Sequence, residues 1–258
     1  MKRVLVTGAT GYVGGRLVRT LLEKGYQVRV FVRDEKKVLQ YSWANSVEIL
    51  VGNVTDFEST KRALIGIDTA FYLLHSINSS TKFDQIEKEM AATFGRAASD
   101  AKIKQIVYLG GIANDSKTSR HLQSRTDTGI ELASYGVPVL ELRAGIIIGS
   151  GSASFEMLRH LTHRLPIMTT PKWVKNRTQP IAIRDVLYYL SSSVELKNPA
   201  SGIYDIGGPE VVSYEIMMQK FAALAGLRKR IVIKVPVLTP SLSSPVSYTH
   251  LRAHETDS

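Results

Sequence analysis

The feature that most constrains this chain is a glycine-rich loop that directly follows a short apolar run near the N-terminus. Residues 4–6 have the composition of a buried strand, and the loop holds Gly8, Gly11 and Gly14 in GxxGxxG spacing. After the loop, apolar residues recur at helical spacing, at Val13, Leu17, Val18, Leu21 and Leu22. The sequence therefore predicts a strand, a tight turn and a helix, with Gly25 ending that helix.

A loop of this kind is typical of sites that bind a pyrophosphate. The phosphates need a backbone without Cβ atoms in the way and free amide groups at a helix N-terminus. We expect Gly8 to make the tight turn, Gly11 to allow the close approach, and Gly14 to let the helix pack on the sheet. The predicted contacts come from Gly8, Thr10, Gly11, Tyr12, Val13 and Gly14. The alternative is a plain strand-to-helix turn without a ligand.

The first half of the chain alternates short apolar runs with helix-like stretches. Further strands are predicted at 28–32, 47–51, 70–74, 106–109 and 139–142. Helices are predicted at 55–64, with Thr55 and Glu58 as a capping box, at 81–101 and at 120–134. Strands that are apolar throughout and separated by helices indicate an α/β fold with a doubly wound parallel sheet, the Rossmann fold. In such folds, ligands lie at the carboxyl ends of the strands.

The second half is predicted to add a small C-terminal lobe to the same domain. We expect residues 1–245 to form one Rossmann domain, with a substrate lobe from about residue 150. Residues 150–173 include Gly151, three Ser and two Pro, which favours a lid or small lobe over the sheet. Helices are also predicted at 185–190 and 214–224, with a short strand at 204–206.

The end of the predicted second strand indicates which dinucleotide is preferred. An acidic residue there accepts hydrogen bonds from the ribose 2′-hydroxyl of NAD, whereas a basic residue favours the 2′-phosphate of NADP. Arg33 comes first in this chain, and Asp34 follows it. The guanidinium of Arg33 can bind a phosphate with two hydrogen bonds, and we expect Asp34 to point outward or cap the next helix. NADP is therefore predicted, with NAD possible; an exposed Arg33 without a ligand is the alternative.

Composition and charge exclude several other classes of function. The chain has 33 Lys and Arg against 23 Asp and Glu, for a net charge of +10, but these charges are scattered. We predict no nucleic-acid partner, since the densest basic cluster, 228–230, forms no organised stripe. No apolar stretch is long enough for a membrane span, so we expect a cytoplasmic protein. Without Cys there is no thiol nucleophile or thiolate metal site, and His160 with His163 lack a third ligand, so no metal is predicted.

Several motifs together resemble the extended and atypical short-chain dehydrogenases/reductases, including the NmrA-like proteins. Residues 7–14 are similar to the glycine motif of that family, and later similarities lie at 52–56, 142–145, 181–186 and 204–210. The likeness covers about residues 3–240 and is strongest to a bacterial branch in which this domain precedes a second domain of unknown function. It implies NAD(P)H binding.

The resemblance also assigns residues to the rest of the dinucleotide. Asn53 and Val54 would hold the adenine, although the family usually has Asp where this chain has Asn53. Leu74, His75 and Ser76 would pass beside the ribose and the nicotinamide. A role through its main chain is the expected one for His75.

The sequence departs from the family at the active site. Family members use a Ser at the end of the fifth strand and Tyr-x-x-x-Lys on the next helix, where the Tyr donates a proton to the substrate carbonyl. Here that strand ends without Ser, and His121 and Arg125 stand in place of Tyr and Lys. His121 could act as a proton donor, and Arg125 could hold a ribose hydroxyl or a substrate anion but could not serve as a base. Alternatively, both are ordinary polar residues on a helix face.

The last residues do not continue the pattern of the preceding chain. Residues 246–258 resemble a translated sequencing-library adapter, so we expect them to be a non-native tail on a truncated gene fragment; a natural disordered terminus is the alternative.

Two functional hypotheses follow for the chain. The first is an NADP-dependent oxidoreductase acting on an unidentified carbonyl or quinone-like small molecule. The second is a non-catalytic NADP(H)-binding redox sensor, regulator or assembly factor, for which the missing Tyr and Lys are no handicap.

Overall fold

The computed structural model describes residues 2–75, 83–112, 120–170, 172–196, 198–199 and 201–234. The strands are β1 (Arg3–Thr7), β2 (Gln27–Val32), β3 (Glu48–Val51), β4 (Thr69–Tyr72), β5 (Gln105–Gly111), β6 (Val139–Ala144), β7 (Ile147–Ile148), β8 (Ile167–Thr170), β9 (Arg177–Thr178), β10 (Ile181–Ala182), β11 (Gly202–Ile206), β12 (Val212–Ser213) and β13 (Ile231–Lys234). The helices are α1 (Tyr12–Glu23), α2 (Glu35–Val38), α3 (Phe57–Leu64), α4 (Phe83–Asp100), α5 (Arg120–Ala133), α6 (Ala153–Arg164), α7 (Ile183–Ser192) and α8 (Tyr214–Leu224).

Within the described residues, seven strands form one parallel sheet in the order β11-β6-β5-β4-β1-β2-β3. The chain order runs outward in both directions from the neighbouring strands β1 and β4. This reversal is the topological switch point of a doubly wound fold, where ligands bind outside the carboxyl ends of the strands. The predicted Rossmann-type sheet is therefore confirmed, and its switch point lies between the loops that follow β1 and β4.

The apolar strands are buried because helices cover both faces of the sheet. On β1, Val4 and Val6 point to the face that packs against Leu17 of α1, and all three are fully buried. Leu5, between them, points to the opposite face, where the core includes the fully buried Phe94 of α4. Burying a side chain of this size stabilises the fold by about 1.5–3 kcal/mol. Two-sided burial explains why the strand sequences are mainly apolar rather than strictly alternating.

The predicted N-cap of the helix at 55–64 is wrong by one residue. Thr55 and Glu58 do not form the predicted capping box, because α3 begins at Phe57 and its N-cap is Asp56. The Asp56 carboxylate accepts a hydrogen bond from the backbone N–H of Ser59 at 3.0 Å. The Ser59 side chain, and then this backbone bond, lower the Asp56 pKa. The backbone N–H of Thr55 instead donates to the side chain of Asn53 at 3.2 Å. Two competing caps lie next to each other in the sequence, and the aspartate is the one used.

The chain divides into two compact units. The first comprises residues 1–147 and 181–207 and contains the seven-stranded sheet. The second comprises residues 148–180 and 208–258, and its described part contains α6, α8 and the strand pairs β8–β13 and β9–β12. In this unit the Phe221 ring of α8 contacts Phe155 and His163 of α6, with ring centroids 5.9 and 5.6 Å apart. Substrate binding by a lobe from about residue 150 stays a prediction, and residues 246–258 lie outside the described residues.

No helix in the part of the chain that the structure describes is long and apolar enough to cross a membrane.

Candidate functional site

The loop after β1 is fastened to the end of β4 by one buried side chain. Thr7 is the last residue of β1, and its hydroxyl donates to the Phe71 carbonyl at 3.0 Å. The same hydroxyl accepts from the backbone N–H of Leu73 at 3.1 Å. These two bonds join the strands on either side of the switch point, so the loops that follow them start from fixed positions.

Two glycines in the loop are required by the protein itself. Gly8 has φ +66°, and a Cβ there would lie 2.5 Å from the Leu73 carbonyl oxygen. A Cβ on Gly14 would lie 2.1 Å from the Gly8 carbonyl oxygen, a distance that no side chain tolerates. Gly8 therefore makes the turn, and Gly14 lets the first turn of α1 lie against it. Both contacts agree with the roles that the spacing predicts.

Gly11 differs, because little of the protein opposes a side chain there. Among the described residues, a Cβ on Gly11 would contact only the Gly8 carbonyl oxygen, at 3.2 Å. Gly11 is the N-cap of α1; no side chain caps this helix, and no acidic residue lies in its first turn. The start of α1 thus keeps the partial positive charge of a helix N-terminus, which suits an anion such as a phosphate.

The remaining loop residues, Thr10, Tyr12 and Val13, contact other parts of the protein. The Thr10 carbonyl accepts a hydrogen bond from the Tyr41 hydroxyl at 2.8 Å. The Arg16 guanidinium lies over the Tyr12 ring, 4.0 Å from its centroid. Val13 is partly buried and packs against the core on the α1 face of the sheet. Since these side chains serve the protein, a ligand would meet mainly the backbone of this loop.

Arg33 and Asp34 follow β2 and have different surroundings. The Asp34 carboxylate accepts from the backbone N–H of Lys36 at 2.9 Å and caps α2, which confirms the expected capping role. Arg33 is exposed, and within the described ranges no hydrogen bond or ion pair involves its side chain. The acidic residue is therefore engaged, and the basic one is accessible to a ligand.

After β3, Asn53 and Val54 point in different directions. Asn53 is exposed, and its main-chain carbonyl accepts a hydrogen bond from the Ser59 hydroxyl at 3.1 Å. Val54 is 6% exposed and belongs to the core on the α4 face of the sheet. An adenine contact from Val54 would therefore come from its main chain, while Asn53 could offer its side chain.

The residues after β4 lie beside the end of β5. Leu74 is partly buried against the core, and His75 Nε2 lies 3.2 Å from the Leu109 carbonyl oxygen. A carbonyl only accepts, so Nε2 carries the proton. Burial, together with the nearby charge of Arg125, lowers the pKa of His75 to about 3, and the imidazole is neutral. The predicted contact Ser76 lies outside the described residues.

His121 and Arg125 both lie on α5 but have different neighbours. The His121 ring is exposed and stacks on Phe83 of α4, with centroids 4.4 Å apart. Arg125 lies at the end of β5, since a Cβ on Gly111 would be 3.2 Å from Arg125 Cδ and Nη1. The structure therefore brings Arg125, but not the His121 ring, next to the strand ends near His75. The catalytic roles of both residues stay predictions.

One buried ion pair was missed by the sequence argument. Glu141 on β6 has a side chain only 5% exposed and accepts from Arg143 Nε at 2.7 Å. Cβ atoms on Gly110 and Gly129 would lie 2.9 and 2.3 Å from its carboxylate oxygens. Burial raises the Glu141 pKa, and Arg143 opposes that rise. The signal was present in the sequence, because charged residues two apart in an apolar strand must share one face.

The described residues include no group of three or more His, Asp or Glu that could hold a metal ion.

The comparison with protein families agrees with the motifs. Residues 1–126 match the model of the NmrA-like family, just under half of the chain. The resemblance to NmrA-like proteins is thereby confirmed over these residues, which contain the glycine loop, β2 and the loops after β3 and β4.

A curated relative and two solved structures extend the comparison. A segment of 70 residues is 44% identical to a 3-beta-hydroxysteroid dehydrogenase of Mycolicibacterium neoaurum and covers 27% of this chain and 18% of that protein. The chain thus matches less than a fifth of this relative's length. Triphenylmethane reductase from Citrobacter sp., solved with NADP(H), superposes with a TM-score of 0.76 at 18% identity, covering 95% of this chain and 83% of that one. A double mutant of dTDP-glucose 4,6-dehydratase from Streptomyces venezuelae, solved with NAD, gives 0.73 at 17% identity, covering 91% and 84%. Likeness at these identities establishes the fold.

The two loop glycines should respond differently to alanine. Gly14→Ala places a methyl group inside contact distance of the Gly8 backbone, so we expect a loss of about 2 kcal/mol or more in the free energy of unfolding. Gly11→Ala should cost less than about 1 kcal/mol, because only one backbone oxygen opposes it. Urea denaturation of both variants checks this; equal losses would contradict the geometry.

The depressed pKa of His75 predicts a pH-dependent stability. A neutral imidazole is favoured in the folded state, so its contribution is complete above the unfolded pKa of about 6.5 and is lost as the pH falls toward 3. Between about pH 7 and pH 5, the wild type should lose about 1–2 kcal/mol more than His75→Gln. Urea denaturation of both proteins across this range measures the difference; parallel pH dependences would show that His75 titrates normally.

Proposed function

We propose that this protein binds NADP(H) and acts as an oxidoreductase on a small carbonyl or quinone-like substrate. The observation that carries the proposal is the loop after β1, where an uncapped helix N-terminus adjoins a glycine that the protein itself does not require. Such an arrangement favours a pyrophosphate, and it lies at the switch point of the sheet, where dinucleotides bind in this type of fold.

The proposed cofactor contacts follow the carboxyl edge of the sheet. The loop backbone would hold the pyrophosphate, Arg33 the 2′-phosphate, and Asn53 with the main chain of Val54 the adenine. The residues proposed for the pyrophosphate are Gly8, Thr10, Gly11, Tyr12, Val13 and Gly14. Leu74, His75 and Ser76 would lie along the ribose and nicotinamide. When bound, the nicotinamide supplies or accepts a hydride, and the protein supplies binding and orientation.

The preference for NADP rests on the residues after β2. Asp34 is engaged in capping α2, so of these two residues Arg33 has the charged group that is accessible to a ligand. A guanidinium binds a phosphate with paired, charge-assisted hydrogen bonds, whereas a ribose hydroxyl carries no charge and cannot form such a pair with it. The NADP(H) bound to the triphenylmethane reductase supports the proposal, and the NAD bound to the dehydratase leaves the alternative cofactor open.

A non-catalytic NADP(H) sensor or regulator is the second candidate, and one observation favours it. His75 is neutral, and the His121 ring stacks on Phe83 rather than at the strand ends. Arg125, which does lie there, cannot release a proton at neutral pH. Within the described residues, the usual proton-donating Tyr with its Lys is replaced by groups less suited to that task.

Binding measurements test the cofactor assignment. NADPH should bind more tightly than NADH, because only NADPH carries the phosphate that Arg33 would hold. Arg33→Ala should weaken NADPH binding by about tenfold or more and leave NADH binding unchanged. Arg19→Ala, which removes an exposed arginine paired with Glu23 on α1, is the matched control and should change neither. Tighter binding of NADH, or equal losses for both cofactors, would contradict the NADP assignment.

Turnover measurements separate the enzyme from the sensor. NADPH consumption should be seen with at least one member of a panel of carbonyls and quinones, followed by absorbance. If His121 donates the proton, His121→Ala should lower the rate by about 10²-fold or more without weakening NADPH binding. Unchanged rates would remove His121 from the proposal, and binding without turnover across the panel would favour the sensor.

A further inference from the structure

Arg125 occupies a distinct position at the carboxyl edge of the sheet. It lies on α5 beside Gly111, the last residue of β5, where the absence of a Cβ makes room for its side chain. Its charge also reaches His75, after β4, because it contributes to lowering the pKa of that residue. The guanidinium therefore lies near the ends of two adjacent central strands.

The guanidinium has no counter-ion in the described part of the chain. No carboxylate there lies within 4.0 Å of it, and no hydrogen bond from its side chain is formed. Each nearby buried carboxylate is engaged with another group: Glu141 accepts from Arg143, and Glu87 accepts from Ser124. The main-chain carbonyl of Arg125 accepts a hydrogen bond from the Tyr108 hydroxyl at 2.9 Å.

An unpaired, half-buried guanidinium is costly to the folded state. Partial burial removes part of its hydration, and no opposite charge among the described residues compensates for that loss. The planar group presents several N–H donors in a fixed arrangement that matches the two oxygens of a carboxylate. A neutral carbonyl or hydroxyl would accept fewer hydrogen bonds from the guanidinium and would not compensate its positive charge.

We propose that Arg125, which lies beside Gly111 at the end of β5, is the anion-recognition residue of this site. The ligand class that fits is a carbonyl compound carrying a carboxylate. This inference rests on the proposed function for the identity of the site, but anion binding by Arg125 can be measured without turnover. A ribose hydroxyl as the partner of Arg125 is the competing possibility that the experiment distinguishes.

Isothermal titration of the full chain with benzoate, and with benzamide as its uncharged counterpart, tests the proposal. Each titration is made with and without saturating NADPH. Benzoate should bind more tightly than benzamide, and Arg125→Gln should weaken benzoate binding by about tenfold or more. Arg125→Lys, which keeps the charge but loses the paired donors, should weaken it less. Arg96→Gln removes a charge from α4, where the arginine stacks on Phe57, and should leave benzoate binding unchanged.

The pH dependence gives a second readout. Because an arginine stays charged, benzoate affinity should be constant from about pH 6 to pH 9, whereas a site that depends on a protonated histidine would weaken through about pH 6.5.

Each remaining outcome has a definite meaning. Equal binding of benzoate and benzamide, no binding of either, or an unchanged Arg125→Gln variant would overturn the anion assignment. Loss of NADPH affinity in Arg125→Gln with unchanged benzoate affinity would also overturn it, in favour of a ribose contact. Failure of the wild type to bind NADPH would instead reject the proposed cofactor, while the titrations without NADPH would still decide the role of Arg125.

Discussion

The candidate site depends on the close backbone contact among the ends of β1 and β4 and the start of α1. The Thr7 hydroxyl donates to the Phe71 carbonyl and accepts from the backbone N–H of Leu73. Gly8 lies against the Leu73 carbonyl with no room for a side chain. Gly14 then brings α1 onto Gly8. Together these contacts fix the loop after β1 against the end of β4 and the start of α1 against that loop. The burial of β1 on both faces keeps this arrangement rigid, because neither strand can shift without opening the core.

The electrostatics of the site follow from which charges are already paired. Asp34 is engaged with the backbone of α2, Glu141 with Arg143, and Asp56 with the start of α3. These three acidic groups therefore have partners, whereas the side chains of Arg33 and Arg125 have none among the described residues. With the uncapped start of α1, the two guanidinium groups place positive charge at this edge. Such an edge suits the phosphorylated cofactor and the anionic substrate that we propose. Part of the chain's excess of positive charge thus lies where these ligands would bind.

Much of this arrangement could be predicted from periodicity and turn residues. The sheet strands, the main helices and the glycine loop appear in the sequence because each is a local pattern of apolar spacing and turn chemistry. The predicted capping box was wrong because two local signals compete there, and Asp56 rather than Thr55 caps α3. Spacing also does not give the direction of a side chain: Val54 packs in the core, so its predicted adenine contact would come from its main chain. His121 and Arg125 share a helix face by spacing, yet the first stacks on Phe83 and the second lies beside Gly111.

The sequence by itself determined the parallel Rossmann-type sheet, the glycine turn and the basic residue after β2. Each of these is marked by a local pattern of apolar spacing and turn residues, so composition and spacing are sufficient to predict it. Only the tertiary structure decided that Arg125 has no counter-ion among the described residues, that His75 is neutral and that Glu141 is buried beside Gly110 and Gly129. Each of these depends on contacts between distant segments, because burial and pairing are properties of the neighbours that the fold supplies.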